Sequence, residues 1–560
     1  MGFQVSPGVV VKEIDLTTIV PSVPTSIGAF AGPFSWGPAN EITTVHNEVD
    51  LVNQFFKPSA TNYEYWYSAA NFLAYSGNLQ VVRAANTTST LNAVSTGAGI
   101  LIENENDYEY NHSTSANTNG SFAARYPGEL GNGLKIDVVD ANTFSSSWAH
   151  FSQFTDAPGT SSWAEQRGGA NDEVHIVIVD TRGDFSGTAN TVIEKYAFVS
   201  KASDALTNDG STNYYVNVLN QRSRYIWWLS HPELANNNWG YVAANTNFKN
   251  LSTVLSNRLQ NGADGTLSSR DIIRGYDAFV DPEISDISLI VSGPANGTIA
   301  THIIDNICET RRDCIVFVSP QKDDVVHNYL NEEADIKEYR ASLTSTSYAV
   351  IDSGWKYQYD KYNDVYRWLP LNADVAGLCA RTDNDRDPWY SPAGLNRGII
   401  KNVIRLAWNP NKSNRDNLYL KGVNPIVTFP GEGTMLYGDK TMLSRPSAFD
   451  RINVRRLFIV LEKSIAKAAR STLFEFNDAF TRAQFVNLVE PYLRDVKGRR
   501  GIYDFRVVCD ETNNTPEVID RNEFIGDIYI KPARSINFIT LNFIAVRTGV
   551  AFEEVIGKWG

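Results

Sequence analysis

Cysteine is scarce in this sequence, and the spacing of the few thiols excludes some classes of protein. The 560 residues include four cysteines, none of them in a CxxC motif: Cys308, Cys314, Cys379 and Cys509. Thiols this few and this scattered indicate reduced, packed side chains rather than a disulfide framework.

Long apolar runs are also missing. No stretch reaches the roughly 18 apolar residues that a membrane-spanning helix needs. The start, MGFQVSPGVV, lacks the charged and then apolar pattern of a signal peptide. These absences predict a soluble protein that is made in a cytoplasm and does not insert into a membrane.

The sequence contains only fragments of the motifs that are typical of phosphate, metal and catalytic sites. The loop GPANGT at residues 293–298 lies between a predicted strand and a predicted helix, but it lacks the lysine of a phosphate-binding loop. Asp383, Asp385 and Asp387 have EF-hand spacing, yet Pro388 stands where that loop needs glycine. The seven histidines include no HExxH pair, and no GxSxG motif is present. The sequence therefore predicts no enzyme, no cofactor and no metal site.

Charge is distributed unevenly along the chain. Residues 1–396 contain 25 Lys and Arg against 45 Asp and Glu, whereas residues 397–560 contain 25 against 18. An acidic body joined to a basic C-terminal part is typical of a protein that faces two environments. Nucleic acid is one possible negative partner, but no RNP, zinc-finger or helix-turn-helix pattern accompanies the charge. No direct nucleic-acid partner is predicted.

Two α/β segments flank a segment of different composition. Strand, helix and strand patterns occupy residues 21–85 and return in residues 265–405, which predicts one middle α/β domain with a parallel sheet built from right-handed crossovers. Residues 86–264 are rich in Ser, Thr, Asn and Gly, with isolated strand patterns. We interpret them as an inserted, mostly β outer domain. The fold class is therefore a multidomain mixture of α/β and α+β parts.

The first 20 residues form a β-branched run with no local partner. Pro21 and Pro24 interrupt the chain before the next apolar segment, so a strand here must pair elsewhere or with another chain. We interpret residues 1–20 as an N-terminal arm that joins either the C-terminal domain of its own chain or a neighbouring subunit, and we predict strand addition to the neighbour. Its inserting residues would be Val9, Val11, Ile14 and Leu16.

The C-terminal part, residues 406–547, contains a predicted amphipathic helix over residues 447–470, capped by Ser447 or Asp450. One face carries Val454, Leu457, Phe458, Leu461, Ile465 and Ala468. The opposite face carries a basic ridge of Arg456, Lys463, Lys467 and Arg470. The ridge is either a solvated face or a docking face for an acidic partner.

A second helix is predicted over residues 478–496, with a kink or break at Pro491. Three strand candidates follow it: IYDFRVVC, DIYIKP and INFITLNFIAV. Residues 548–560 are interpreted as a C-terminal tail.

Several of these stretches resemble the tail sheath protein of contractile-tailed (myovirus-type) bacteriophages. They are SPGVVVKEIDL with VPTSIGAFAGPFSWGP near the start, RDPWYSPAGLNRG at residues 386–398, and DFRVVCDETNNTPEVIDRNEFIGDIYIKP at residues 504–532 with INFITLNF at 536–543. The resemblance does not extend to residues 86–264. The chain is shorter than the largest family members, which implies a missing or reduced outer domain.

The resemblance implies a subunit that polymerises as stacked hexameric rings around a tail tube and contracts to drive the tube through the host envelope. Residues 406–547 would form the inner, tube-facing domain, and the arms would exchange strands between subunits. Partners would be further copies of the chain, the tube protein, and the baseplate and tail terminator proteins. The protein would be assembled in the host bacterial cytoplasm and reside in the virion.

The resemblance also assigns site residues and leaves alternatives. Strand exchange would involve Val9, Val11, Ile14, Leu16, Ile536 and Phe538, and the tube-facing candidates are Arg456, Lys463, Lys467 and Arg470. One alternative is a sheath subunit, or a tube or baseplate component, of a related contractile injection or secretion apparatus. Another is a secreted or virion-associated hydrolase, which would need a catalytic constellation that the sequence does not show.

Overall fold

A computed structural model describes residues 20, 23–113, 119–232 and 238–537 of the chain. Val9, Val11, Ile14, Leu16 and Phe538, the predicted strand from residue 538 onward and the predicted tail all lie outside the described residues. Before residue 86 the elements are β1 (Gly28–Gly32), β2 (Ile42–Val45), α1 (Glu48–Phe55), α2 (Tyr63–Leu73) and β3 (Leu79–Arg83).

Residues 86–264 contain mainly strands joined by long polar loops. Their elements are α3 (Glu105–Asn111), β4 (Phe122–Ala124), β5 (Leu134–Val139), α4 (Ser162–Glu165), β6 (Glu173–Asp180), β7 (Thr191–Ser200), α5 (Tyr215–Arg222), β8 (Ile226–Trp228) and β9 (Leu255–Arg258). Four of the strands form an antiparallel sheet in the order β7-β6-β5-β9, and β4 pairs with β8.

Helices and strands alternate again after residue 265. The first elements are α6 (Ser269–Asp277), β10 (Leu289–Val291), α7 (Gly297–His302), α8 (Glu309–Arg311), β11 (Ile315–Val318), α9 (Lys322–Val325), α10 (Glu332–Ser342) and β12 (Ala349–Asp352). There follow β13 (Trp355–Asp360), β14 (Val365–Pro370), α11 (Asn372–Asp385), β15 (Arg405–Leu406), α12 (Lys412–Leu420), β16 (Val423–Asn424), β17 (Ile426–Phe429) and β18 (Gly433–Leu436).

One large sheet joins strands from both sides of residues 86–264. Its order is β16-β12-β11-β10-β1-β3-β2, and every neighbouring pair is parallel except β2 with β3. The predicted parallel pairing is thus confirmed for these strands. Short apolar strands of this kind are buried on both faces because helices cover both sides of the sheet. The sheet continues past residue 405 to β16, and the predicted domain division itself stays a prediction.

The two faces of this sheet carry separate cores. Phe30, Leu289 and Phe317 point toward α2 and α11, whereas Ala31, Ile290 and Val316 point toward α6, α7 and α10. Successive residues of a strand face opposite sides, so each short strand contributes to both cores.

The C-terminal part is built on two long helices, α13 (Ile452–Ala469) and α14 (Ala479–Gly498). They precede β19 (Ile502–Val508), α15 (Pro516–Asp520) and β20 (Asp527–Pro532). Helix α14 continues through Pro491, so the predicted break does not occur there.

The predicted caps of α13 are wrong. The helix starts at Ile452, and the capping position is Arg451, with no side-chain hydrogen bond. The two side chains have other partners before the helix begins, since Ser447 Oγ accepts from Phe449 N and Asp450 lies 3.7 Å from Arg451 Nε.

Candidate assembly surfaces of the C-terminal part

The structure contradicts the exposed position predicted for Arg456. Its side chain is only 4% exposed. Nη1 donates to Asp383 Oδ1 at 2.6 Å and to the carbonyl of Cys379 at 3.1 Å, and Nη2 donates to the second Asp383 oxygen. Burial lowers the pKa of Arg456, but the Asp383 carboxylate outweighs burial and holds the pKa above its usual value. Arg456 is therefore an interior ion-pair partner, because α11 covers its side of α13.

Lys463 also points into the chain rather than away from it. Its ammonium group donates to the carbonyl of Ile287 at 2.6 Å and to Asp286 at 3.0 Å, and it lies 3.4 Å from Asp313. The side chain is 11% exposed. A helical wheel gives angular position only, so it did not reveal that α13 is covered on this side as well.

The last turn of α13 does reach the surface. Lys467 and Arg470 are exposed and form no ion pair with the residues that the structure describes. They remain predicted tube-facing residues.

Next to them lies an apolar surface that the sequence analysis missed. Four exposed side chains, here called the aromatic tip, occupy the connection from α13 to α14 and the first turn of α14: Leu473, Phe474, Phe476 and Phe480. Phe474 is fully exposed and has a left-handed backbone, with φ of 70°. Exposed apolar patches mark interaction sites. The only sequence signal was an aromatic-rich stretch, LFEFNDAF, between two helices.

Strands β19 and β20 form a two-stranded antiparallel sheet with open edges. The register runs from Val508 opposite Asp527 to Ile502 opposite Pro532, with an irregularity between Ile502 and Asp504. One face packs on α13 and α14 through Val507, Ile528 and Ile530. No other strand of the described chain pairs with either edge. An isolated pair of this kind presents unpaired backbone donors and acceptors on both sides.

The chain leaves β20 across a cleft of about 1180 Å³. Ser535 Oγ donates to Asp439 Oδ2 at 2.7 Å, and Asn537 donates to the Tyr419 hydroxyl at 2.8 Å. Arg451 pairs with the same Asp439 at 3.1 Å. Ile536, a predicted strand-exchange residue, is 82% exposed between these two anchors. The cationic residues that line the cleft are Arg397, Lys412, Arg415, Lys497, Arg500 and Arg534.

The carboxyl edge of the large sheet, where α/β folds bind ligands, is filled by the chain itself. Gly293 N donates to Asn372 Oδ1 at 3.2 Å, and Asn372 Nδ2 donates back to the Gly293 carbonyl at 2.8 Å. The Asn296 side chain caps α7. Asp352, at the end of β12, accepts from Ser319 Oγ at 2.6 Å. The loop at residues 293–298 therefore has little free hydrogen-bonding capacity for a phosphate.

Neither a metal-binding cluster nor a membrane-spanning helix occurs among the described residues. They contain no group of three or more His, Cys, Asp or Glu side chains that could hold a metal ion. Within the same ranges no helix has the length and apolar character needed to cross a membrane.

Three protein-family descriptions match this chain over most of its length outside residues 86–264. They are the phage tail sheath C-terminal domain at residues 444–545, the phage tail sheath central domain at 265–442, and the tail sheath protein Gp18 domain III N-terminal region at 25–84. The C-terminal match contains α13, α14 and the β19–β20 sheet.

Curated relatives match from end to end. The tail sheath protein of Enterobacteria phage T4 is 34% identical, that of Vibrio phage KVP40 33%, and that of Salmonella phage ViI 31%. Each alignment covers 99% of this chain and 98% or more of the relative. The T4 alignment spans 679 positions against 560 residues here, so that relative carries additional sequence.

Solved structures share the fold at low identity. The sheath of an extracellular contractile injection system, in its contracted state, has a TM-score of 0.52 at 14% identity and covers 97% of this chain and 98% of its own. The sheath tail protein from Listeria innocua has a TM-score of 0.52 at 10% identity, with 92% and 97% covered.

This chain belongs to the tail sheath protein family of contractile-tailed bacteriophages. Like its relatives, it is a structural component of the virion tail sheath rather than an enzyme.

Proposed function

We propose that this chain is the repeating subunit of a sheath of stacked hexameric rings around a tail tube, and that contraction of the sheath drives the tube through the host cell envelope. The observation that carries the proposal is the β19–β20 sheet, neither edge of which pairs with another strand among the described residues. Two strands alone are marginally stable in water, and three or more strands are the usual minimum. The sheet is therefore suited to receive strands from other copies.

The donors would be the arms at the two ends of the chain. Residues 1–20 supply Val9, Val11, Ile14 and Leu16, and the segment after β20 supplies Ile536 and Phe538. An added strand contributes backbone hydrogen bonds without requiring a large preformed pocket. Donation from one copy to the next is a heterologous contact, and such contacts generate rings or helical arrays.

The tube would meet Lys467, Arg470 and the aromatic tip. Exposed ion pairs are weak, about 0.2–1 kcal/mol each, which suits a surface that must release the tube during contraction. Summed over many subunits, the contacts would still favour growth of the sheath along the tube. Baseplate and terminator proteins would close the two ends, and assembly would take place in the bacterial cytoplasm, where buried thiols stay reduced.

A sheath of a contractile injection or secretion apparatus is the alternative. The likeness to such sheaths lies at 10–14% identity and shows the fold alone, whereas the phage relatives are 31–34% identical over the whole chain. The phage tail is therefore the assignment we favour.

Proline substitution in the N-terminal arm tests strand donation. V11P with I14P removes two backbone donors while keeping the length of the arm, and V11A with I14A keeps the donors. We expect the alanine variant to form hollow cylinders in negative-stain microscopy and the proline variant to remain unassembled. Cylinders of normal length from the proline variant would contradict strand donation.

A further inference from the structure

The root of the N-terminal arm is held by the buried ion pair between Arg456 of α13 and Asp383 of α11. Residues 20 and 23–27, here called the arm root, run along α13. Thr25 Oγ1 donates to Asp383 Oδ2 at 2.6 Å, and the Thr25 carbonyl accepts from Arg456 Nη2 at 3.2 Å. One residue of the arm root thus contacts both members of the pair.

Further hydrogen bonds hold the residues on either side of Thr25. Ser288 Oγ donates to the carbonyl of Pro24 at 3.2 Å, and Lys463 in turn donates to Ser288 Oγ at 3.3 Å. Ser76 Oγ donates to the carbonyl of Ser26 at 3.3 Å. Three consecutive backbone carbonyls are therefore fixed by side chains of the body, which sets the path of the chain before it becomes the arm.

Stability alone does not account for the ion pair. Arg456 and Asp383 are each 4% exposed, and buried ion pairs are often no more stabilising than apolar side chains of the same volume. A bidentate Arg–carboxylate pair does supply direction, because its hydrogen bonds lie in one plane. Here the directed groups include Thr25, which lies in the segment that leads to the arm.

The point where the arm leaves the body is close to the receiving sheet. Val20 is buried against Ala468 of α13 and Leu488 of α14. Phe485 and Val489, which lie close to Leu488 on α14, belong to the core under the β19–β20 sheet. The donor exit and the acceptor edges of one copy are thus both fixed to the same pair of helices.

We propose that Arg456 and Asp383 are positioning residues for arm exchange: they clamp Thr25 so that the N-terminal arm leaves each copy in the direction of its acceptor on the next. The proposal rests on the proposed function, in which the arm donates a strand. Neither residue contacts the neighbouring copy itself, and both act through the arm root.

A double variant and a matched control separate positioning from general stability. R456M with D383N removes both charges and leaves no unpaired buried ion. The control, K356M with D374N, removes another fully buried pair, 2.9 Å apart, that joins β13 to α11 and does not touch the arm root. Both variants are made in the full-length V20C protein, because Val20 is 7% exposed and the four native cysteines are buried.

Maleimide labelling of the V20C thiol, below the concentration at which cylinders form, reports release of the arm root. We expect labelling to be about tenfold faster in R456M/D383N than in K356M/D374N, as for a local opening that leaves the rest folded. The buried native thiols Cys308 and Cys314 should stay unlabelled in both. Cylinder formation should be lost in R456M/D383N and kept in the control.

Equal labelling rates in the two variants would overturn the proposal. So would normal cylinders from R456M/D383N despite fast labelling, since the arm would then need no positioning. A failure of the strand-donation hypothesis itself would be seen in a different measurement. In that case V11P/I14P would form normal cylinders, whatever the labelling rates of the V20C variants are.

Discussion

Asp352 makes the stability of the large sheet depend on pH in a direction unusual for a carboxylate. The side chain is 1% exposed at the end of β12, where it accepts hydrogen bonds from Ser319 Oγ and from Gly354 N at 2.9 Å. Burial, with a smaller contribution from the nearby Asp374, raises its pKa from 3.8 to about 8, although the hydrogen bonds from Ser319 and Gly354 act against the shift.

The direction of this pH dependence follows from the protonation of Asp352 in the folded and in the unfolded chain. Between pH 4 and pH 8 the folded chain keeps a proton on Asp352 that the unfolded chain loses, so stability falls as pH rises through this window. Each pKa unit corresponds to about 1.4 kcal/mol, which makes the cost of keeping the proton about 4 kcal/mol at pH 7. D352N removes this cost, because an amide has no proton to lose and its oxygen can still accept the hydrogen bond from Gly354 N.

Thermal unfolding of D352N and the parent from pH 4 to pH 8 measures the effect. We expect the two melting temperatures to lie closest at pH 4. Toward pH 8 the melting temperature of D352N should exceed that of the parent by a steadily larger amount. Asp360 offers a control of opposite sign, because hydrogen bonds from Asn363, Tyr67 and Tyr362 outweigh burial and lower its pKa. D360N should therefore lose nearly the same stability at every pH from 8 to 4, and the loss should shrink only when the pH falls below the ordinary carboxyl value of 3.8. Parallel pH profiles for D352N and the parent would refute the argument.

Two further predictions concern the tube surface and the packing of α11. K467E with R470E should abolish growth on tail tubes while tube-free cylinders still form, because only the tube contact needs those charges; loss of both would place the residues between sheath copies. G377A should destabilise the chain by about 1–3 kcal/mol, since its Cβ would lie 2.5 Å from Tyr75 Cδ2, and G159A, which meets no atom within 4 Å, is the control in urea unfolding.

The parts of the fold that could be read from the sequence are those with local signals. Within residues 265–405 the apolar stretches ISLIVSG, CIVFVSP and YAVIDSG predict strands, which are β10, β11 and β12. Within residues 21–85 a helical pattern around residues 63–74 predicts α2, and each of these signals depends only on neighbours in the chain. Two-residue strands such as β15 and β16 carry no such signal, because their pairing is decided by distant segments. The open β19–β20 sheet was predicted as strands, but its isolation depends on tertiary structure.

The site residues also show that local sequence patterns do not reveal contacts between distant segments. Arg456 and Lys467 fall on the same side of a helical wheel, yet Arg456 is buried and Lys467 is exposed. The difference arises from Asp383, which is 73 positions away from Arg456 in the sequence. In the sequence Asp383 stands out only through its EF-hand spacing with Asp385 and Asp387, since nothing local connects it to α13. Long-range ion pairs of this kind need the fold before they can be recognised.

Helix α13 bears on how a contracting sheath would move. Ile452 and Ile459 belong to the core between the large sheet and α11, whereas Leu457, Leu461 and Ile465 belong to the core under the β19–β20 sheet. One continuous helix therefore lies in both cores, and close-packed interiors resist gradual deformation. A hinge between these two parts would have to open one of the cores. We infer that, under the proposed function, the large sheet and the β19–β20 sheet of each copy move as one body, so that the change in lattice geometry falls outside these two cores.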